Sequence, residues 1–251
     1  MTKTALVTGA SRGLGRAIAI RLAADGALVA VHYGRNEEAA LATVAAIEEA
    51  GGQAFPVEAD LDREDGIERL QAGLVEGLAG RPLDVLVNNA AMFGGGIETP
   101  ADEFDRVFRV NVRAPFLIVQ RLLPLLRDGG RIINISSGVT WFAVPEVVYA
   151  MTKGALNVMG RSLANTLGDR GITVNTVSPG ITETDMNAWL DEVPGARDGV
   201  ASIVALGRVG QPADIADAVA FFASEDGRWV TGQVLEVNGG LFLGQREPVH
   251  H

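Results

Sequence analysis

The sequence contains no cysteine and only three histidines, and these absences narrow the chemistry open to the protein. Without cysteine there can be no disulfides, thiolate metal ligands or cysteine nucleophiles. Two of the histidines, His250 and His251, end the chain, and we interpret them as a tail or tag remnant. The one remaining histidine cannot form a histidine-centred metal site, so no metal is expected.

Long apolar runs and a basic surface are also lacking. No stretch reaches the roughly eighteen consecutive apolar residues of a membrane-spanning helix, and no charged, then apolar, then small-residue leader is found. The net charge of −10 disfavours a nucleic-acid or anionic-membrane binder, because such proteins need basic surfaces. We therefore expect a soluble cytoplasmic protein that binds a small molecule, without nucleic acid or membrane as a partner.

Apolar residues make up 47% of the 251, and no linker or change of composition divides the chain, so we predict one domain over 1–251. Strand and helix patterns alternate, which predicts an α/β fold with a doubly wound parallel sheet of about seven strands and helices on both faces. The predicted strands span 4–8, 27–33, 54–59, 83–87, 131–135, 172–177 and 234–237. The predicted helices span 16–25, 39–50, 63–78, 104–127, 148–167 and 212–224.

A glycine-rich turn follows the first strand. Gly9, Gly13 and Gly15 give the spacing G-x3-G-x-G directly before a helix. A strand, a glycine turn and a helix together direct backbone N–H groups and the helix N-terminus toward a phosphate. Glycine lets the backbone approach the pyrophosphate because it has no Cβ. The pattern indicates a dinucleotide site, and the alternative is simply a tight turn.

The end of the second strand favours NADP(H) over NAD(H). An NAD site usually has an acid there for the ribose 2′-hydroxyl, but His32, Tyr33 and Arg35 occupy this stretch. The guanidinium groups of Arg12 and Arg35 are suited to flank a 2′-phosphate. The alternative is that both arginines are ordinary surface residues.

Tyr149 and Lys153 are the predicted reactive pair. Residues four apart share a helix face, so the ammonium can approach the phenol and lower its pKa from about 10 toward neutrality. Such a tyrosine can donate a proton to a developing alkoxide. Ser136 and Ser137, at the end of the fifth strand, either terminate it or bind a substrate carbonyl. The alternative is that Tyr149 is a boundary aromatic and Lys153 a solvated charge.

Pro115 interrupts the helix predicted over 104–127. Proline has no N–H, so the carbonyl of Asn111 loses its helical partner and either binds an ordered water or is covered by packing at a kink. Residues 187–208 contain Pro194 and three glycines among apolar residues, and predict a mobile lid over the site.

Aromatic side chains are few, at 6% of residues, and several of them fall in segments that should surround the site. Phe93, Trp141, Phe142 and Trp189 indicate a hydrophobic or aromatic carbonyl substrate, unless they serve as core or subunit contacts. The helix over 148–167 is apolar on most of its faces. One sheet covers one side of a helix, so we expect a second subunit on the other, in a homodimer or homotetramer.

Together these features resemble the short-chain dehydrogenase/reductase family from Lys3 to about Leu241, with a single-domain Rossmann fold. Thr8 to Gly15 is similar to its cofactor loop, and Asn88-Asn89-Ala90 to its NNAG turn, although Ala91 stands where the family has glycine. Four residues match its catalytic tetrad in order and spacing: Asn111, Ser137, Tyr149 and Lys153.

The resemblance implies a role for each site residue. Ser137 would hold the carbonyl oxygen, Tyr149 would be the acid/base, Lys153 would lower the tyrosine pKa and bind the nicotinamide ribose, and Asn111 would hold a relay water. Asp60 would face the adenine, and Thr184 the carboxamide or the phosphate side. The implied cofactor-binding residues are Gly9, Ser11, Arg12, Gly13, Leu14, Gly15, Tyr33, Arg35, Asp60, Leu61, Asn88, Ala90, Tyr149, Lys153, Pro179, Gly180, Thr182 and Thr184. Thr182 departs from the aliphatic residue common at its position.

Within the family, the motifs are most similar to those of NADPH-dependent 3-oxoacyl-carrier-protein reductases. The leading hypothesis is an NADPH-dependent ketoreductase that takes a free or carrier-bound carbonyl compound. The alternatives are an NAD-dependent alcohol dehydrogenase with the same site and a cofactor-binding regulator without turnover.

Overall fold

A computed structural model describes residues 2–244, so the predicted tail, His250 and His251, lies outside the described residues. Its seven parallel strands form one sheet in the order β3-β2-β1-β4-β5-β6-β7. The strands are β1 Thr4–Val7, β2 Leu28–Tyr33, β3 Gln53–Glu58, β4 Leu83–Asn88, β5 Leu126–Ile135, β6 Thr173–Pro179 and β7 Val234–Val237. The helices are α1 Gly13–Ala24, α2 Glu37–Glu49, α3 Gly66–Leu78, α4 Ala101–Phe108, α5 Ala114–Leu122, α6 Val147–Leu167, α7 Trp189–Glu192, α8 Ala196–Ile203 and α9 Pro212–Ala223.

Helices cover both faces of the sheet, which is why its central strands are buried throughout and mostly apolar. Every residue of β1, β2 and β4 is buried. One core lies between the sheet and α1, α2 and α9, and a second lies between the sheet and α3, α5 and α6. The predicted doubly wound Rossmann fold is confirmed. Within residues 2–244, no helix is both long enough and apolar enough to span a membrane.

The predicted helix over 104–127 is wrong in extent. It divides into α4, a π-helical turn at Arg109–Arg113, and α5, which ends at Leu122. β5 then begins at Leu126, five residues before the predicted strand, and Leu126 pairs with Leu83 of β4. The apolar residues at 122–126 fit a helical pattern equally well, so pairing with a distant strand decided their conformation.

The segment 187–208, the predicted lid, contains two short helices and a small core. It contains α7 and α8, and Leu190, Val200 and Val204 pack with Val209 and Leu241 in a small core of their own. This core joins the segment to the end of the chain that follows β7.

Candidate active site

A cleft of about 930 Å³ runs along the carboxyl edge of the sheet, which is where parallel sheets bind ligands. Most of the predicted site residues line it: Gly9, Ser11, Arg12, Gly13, Leu14, Gly15, Arg35, Asp60, Leu61, Ala90, Ser137, Tyr149, Lys153, Pro179, Gly180, Thr182 and Thr184. Three do not: Tyr33, Asn88 and Asn111 are buried beside it. Tyr33 and Asn88 end β2 and β4, so they support the cleft from within the sheet.

The glycine turn has the geometry that a phosphate loop needs. Gly9 and Gly13 have φ values of +64° and +54°, which side chains with a Cβ rarely adopt. A Cβ on Gly15 would lie 2.2 Å from the Gly9 carbonyl oxygen. The turn can therefore pack this closely only with glycine, and α1 begins at Gly13 with its N-terminus at the cleft.

Thr8 and Asn89, which follow β1 and β4, bind the turn to the neighbouring strand end. The Asn89 side-chain amide donates to the carbonyls of Thr8 at 2.8 Å and Gly9 at 3.2 Å. The backbone N–H groups of Asn89 and Ala90 donate to the Thr8 hydroxyl at 2.9 and 3.0 Å. Neither residue has a predicted role of its own, although both fall within the predicted motifs.

The two predicted phosphate-binding arginines each contact the carboxylate of another residue that lines the cleft. Arg35 binds Asp60 at 2.9 Å, and Arg12 lies 3.5 Å from Asp185. Burial alone would raise the pKa of Asp60, but bonds from the Asp62 backbone and from Arg35 outweigh burial and hold it below its ordinary value. Both guanidinium groups are about three-quarters exposed, at 74% and 75%, and so remain accessible to an anionic ligand.

Tyr149 and Lys153 are both buried in the floor of the cleft, on one face of α6. The Lys153 ammonium lies 5.5 Å from the centroid of the tyrosine ring and donates to the Ile135 carbonyl at 2.8 Å. Ser137 follows β5, and its hydroxyl bonds to the phenol. The predicted grouping of these three residues is thus present.

The prediction that the pKa of Tyr149 is lowered toward neutrality is wrong. Burial raises the pKa of Tyr149 to about 12, and the bond with Ser137 lowers it by less. Burial also lowers the pKa of Lys153 to about 8. The prediction considered the charge of the lysine but not desolvation, which disfavours both charged forms in the same buried site.

Asn111 lies in the π-helical turn and is fully buried. Its side chain accepts from the Met92 N–H at 2.9 Å, and donates to the Met92 carbonyl at 2.9 Å and the Thr152 hydroxyl at 3.1 Å. The Ala114 N–H reaches back five residues to Arg109, as expected where Pro115 interrupts the helical bonding. With the side chain engaged in this way, the predicted relay water would have to bind the Asn111 carbonyl, and that role stays a prediction.

Aromatic rings form one wall of the cleft. The ring of Phe93 lies 5.1 Å from that of Tyr149, and Phe142 makes an edge contact with Phe242 at 4.9 Å. Phe93 is half exposed, at 53%. Of the other predicted wall residues, Trp141 and Trp189 are partly exposed but do not line the cleft.

Known proteins share both the sequence and the fold. A family model described as enoyl-(acyl carrier protein) reductase matches residues 9–242. An uncharacterized oxidoreductase of Methylorubrum extorquens is 46% identical over 95% of this chain and 97% of its own length. A versicolorin reductase of Emericella nidulans is 39% identical, covering 96% of both chains. A 3-oxoacyl-[acyl-carrier-protein] reductase of Staphylococcus aureus is 39% identical, covering 97% of this chain and 99% of its own.

Two solved structures are more similar still. One is a promiscuous reductase that catalyses keto-reduction at C1 in lugdunomycin biosynthesis, with 50% identity, a TM-score of 0.91, and coverage of 96% of this chain and 98% of that one. The other is an angucycline C-6 ketoreductase with bound NADP, with 48% identity, a TM-score of 0.91 and 96% coverage of both chains. These relatives confirm the predicted enzyme class, an oxidoreductase that reduces ketones with NADPH. The chain belongs to the short-chain dehydrogenase/reductase family.

Proposed function

We propose that this enzyme reduces a ketone on a polycyclic aromatic substrate, with Tyr149 as the proton donor. The observation that carries the proposal is the half-exposed ring of Phe93, 5.1 Å from the ring of Tyr149. A flat aromatic substrate can stack on this surface while its carbonyl faces the phenol, since offset aromatic contacts at such distances are favourable.

The cleft fits NADPH. The glycine turn and the N-terminus of α1 provide N–H groups for the pyrophosphate, where a Cβ on Gly15 would close the turn. Arg12 and Arg35 provide charge-assisted donors for the 2′-phosphate, and Asp60 and Leu61 border the same end of the cleft. When bound, NADPH supplies the hydride. The NADP bound by the angucycline ketoreductase supports the same cofactor for this enzyme.

Two side chains, those of Ser137 and Tyr149, would then act on the carbonyl oxygen, and Lys153 and Asn111 support them. The Ser137 hydroxyl donates to the carbonyl oxygen and orients it, and the Tyr149 phenol donates the proton that completes the alcohol. With its pKa raised to about 12, the phenol holds that proton throughout the physiological range. Lys153 lies beneath the tyrosine ring, and its hydrogen bond to the Ile135 carbonyl holds the ammonium in place. Asn111 fixes the loop at Met92 against α6.

Similarity to the lugdunomycin reductase and the angucycline ketoreductase supports the aromatic substrate class. The contrasting candidate is a 3-oxoacyl group on a carrier protein, as the name of the Staphylococcus aureus relative describes for that protein. That substrate is flexible and non-aromatic, so it would gain little from the ring of Phe93.

We also propose that residues 187–208 act as a lid, and that a second copy of the chain covers α6 in a homodimer or homotetramer. Thr184 and Asp185, which lie at the cleft, directly precede α7, so movement of this segment would change access to it. Met151 and Val158, two turns apart on α6, are 50% and 62% exposed. The expected cytoplasmic location stays a prediction.

A substrate comparison tests the proposed function. Purified enzyme is assayed by NADPH oxidation with an angucyclinone-type ketone, a 3-oxoacyl thioester and a small aliphatic ketone. We expect the polycyclic ketone to have the highest kcat/KM. The Phe93→Leu variant should lower that value about threefold to tenfold, and leave the aliphatic ketone unchanged, because only the ring contact is lost. Phe116→Leu, a similarly exposed site on α5 outside the cleft, is the control. Preference for the thioester would refute the aromatic substrate class.

A further inference from the structure

His32 is a buried titratable residue at the cleft with no part in the chemistry above. It lies near the end of β2, paired in register with Val57 of β3, and only 2% of it is exposed. It lies between the glycine turn after β1 and the residues that follow β3. Its imidazole therefore connects two strand ends that border the cofactor site.

The two ring nitrogens have different partners, and these partners fix one tautomer. The Gly9 N–H donates to Nδ1 at 3.0 Å, so Nδ1 must carry a lone pair. Nε2 lies 2.9 Å from the Ala59 carbonyl, which can only accept, so Nε2 carries the proton. The imidazole is neutral in this arrangement, in agreement with burial lowering the pKa of His32 to about 4 against the opposing effects of Ala59 and the Asp60 charge.

These bonds determine how the glycine turn is oriented. The Ala10 N–H donates to the His32 carbonyl at 2.8 Å, so His32 binds two successive N–H groups of the turn. From the other side, the Asn89 amide donates to the Gly9 carbonyl at 3.2 Å. The N–H groups of Gly9 and Ala10 are thereby directed into the protein, while Gly9 and the residues from Ser11 to Gly15 line the cleft.

We propose that His32 is a positioning residue for the cofactor: by accepting the Gly9 N–H, its imidazole holds the glycine turn in the conformation that binds the pyrophosphate. The inference rests on the assignment of the cleft to NADPH. Without the acceptor, the Gly9 N–H would be left unsatisfied in a partly buried place, and the turn would rotate to find another partner. Molecules in which the turn had rotated would then lack the pyrophosphate site.

Two substitutions separate the two bonds of the ring. In His32→Asn the side-chain oxygen occupies the place of Nδ1, so the bond from Gly9 is kept and the bond to Ala59 is lost. In His32→Gln the amide nitrogen reaches the place of Nε2, so the bond to Ala59 is kept and the bond from Gly9 is lost. Comparing the two variants shows which of the two ring bonds cofactor binding depends on, because each variant loses only one of them.

The experiment measures the Kd of each protein for NADPH and for NADH by fluorescence titration, together with its Tm. We expect His32→Gln to raise both Kd values about tenfold, the effect of one unsatisfied, partly buried donor. His32→Asn should stay within about threefold of the unmodified enzyme, since it restores the acceptor. Both cofactors should respond equally, because the pyrophosphate is common to them, whereas loss of Arg35 should affect NADPH alone.

Equal Kd values for the two variants and the unmodified enzyme would overturn the proposal, even if both variants had a lower Tm, because His32 would then serve stability alone. A larger rise in Kd for His32→Asn than for His32→Gln would also overturn it, since the Ala59 bond would be the important one. If the unmodified enzyme bound no NADPH, the assignment of the cleft would fail, which is a different result from failure of the role of His32.

Discussion

Arg35 and Arg12 are exposed, and each is paired with a carboxylate that also lines the cleft. Exposed ion pairs of this kind contribute little stability, about 0 to 1 kcal/mol, so a 2′-phosphate can readily compete for the guanidinium. Arg12 and Arg35 can thus contribute to cofactor binding while contributing little to the stability of the fold. Their effect should be visible in cofactor preference.

We predict that Arg35→Ala raises the Kd for NADPH about tenfold and leaves that for NADH within about twofold, because the lost charge-assisted bonds reach only the 2′-phosphate. Fluorescence titration with both cofactors measures this. Arg63→Ala is the matched control, since Arg63 is also exposed and paired with a carboxylate, that of Asp65, but lies outside the cleft. Parallel changes for the two cofactors would show that Arg35 does not read the phosphate.

The site residues that could be predicted are those whose residue type and spacing form a recognisable motif. Tyr149, Lys153 and the turn glycines are of this kind, and the structure brings them to one cleft. No role was predicted for His32 and Asn89, because both act through hydrogen bonds to residues that are 23 to 81 positions away in the chain. Only the fold brings such partners together. The pKa of Tyr149 was also beyond prediction, since it depends on how deeply α6 is buried.

At the scale of the element, the π-helical turn at Arg109–Arg113 places Asn111 against Met92 and α6. Pro115 causes this turn by removing one helical donor. A π-helical turn contains about one residue more than an α-helical turn. A regular α-helix through this stretch would therefore rotate Asn111 away from Met92. The turn is therefore a local irregularity that serves the site.

We predict that Pro115→Ala lowers kcat/KM roughly tenfold without lowering Tm, because the restored N–H favours a regular helix while a small displacement near the reacting groups is costly. Steady-state kinetics and thermal unfolding measure the two effects. Pro212→Ala, at the start of α9 away from Asn111, controls for the change of residue type. An unchanged kcat/KM would mean that the position of Asn111 does not depend on the proline.

Element prediction succeeded where the local pattern and the fold agree. Six of the seven strands lie within two residues of their predicted bounds, because parallel strands buried on both faces are continuous apolar runs. The failure at 104–127 has a physical cause. Leu122 and Leu126 belong to different elements but to one apolar run, and the pairing of Leu126 with Leu83 is a contact over 43 positions that no local pattern contains.

At the scale of the whole molecule, burial of His32 makes stability depend on pH. Its pKa is lowered from 6.5 to about 4, so between these values the unfolded chain binds a proton that the folded chain does not. Stability from this group is complete above pH 6.5 and is lost as pH falls toward 4. Between pH 7 and pH 5 the loss should be roughly 2 kcal/mol.

We predict that His32→Asn loses about 2 kcal/mol less free energy of unfolding than the unmodified enzyme between pH 7 and pH 5, because asparagine does not titrate. Urea unfolding at both pH values, analysed for each protein, measures the difference. The carboxylates are common to the two proteins and cancel in the comparison. An identical loss in both proteins would mean that His32 does not resist protonation in the folded state.

The exposed apolar face of α6 also belongs to this scale. We predict that Val158→Glu shifts the particle toward monomer, because a charge in the centre of an apolar interface would be desolvated. Light scattering coupled to gel filtration gives the mass. Leu41→Glu, at a 46% exposed apolar site on α2, is the control and should keep the original mass. A monomeric mass for the unmodified enzyme would contradict the proposed second subunit directly.

The most direct test of the central claim is the Tyr149→Phe variant, which removes only the phenolic oxygen from a buried ring. The account predicts that the Kd for NADPH stays within about threefold, while turnover of a polycyclic ketone falls roughly 10²- to 10⁴-fold, the contribution of a general acid. Both are measured on the same preparation, by fluorescence titration and by NADPH oxidation. Turnover close to that of the unmodified enzyme, with NADPH bound as before, would show that Tyr149 is not the proton donor.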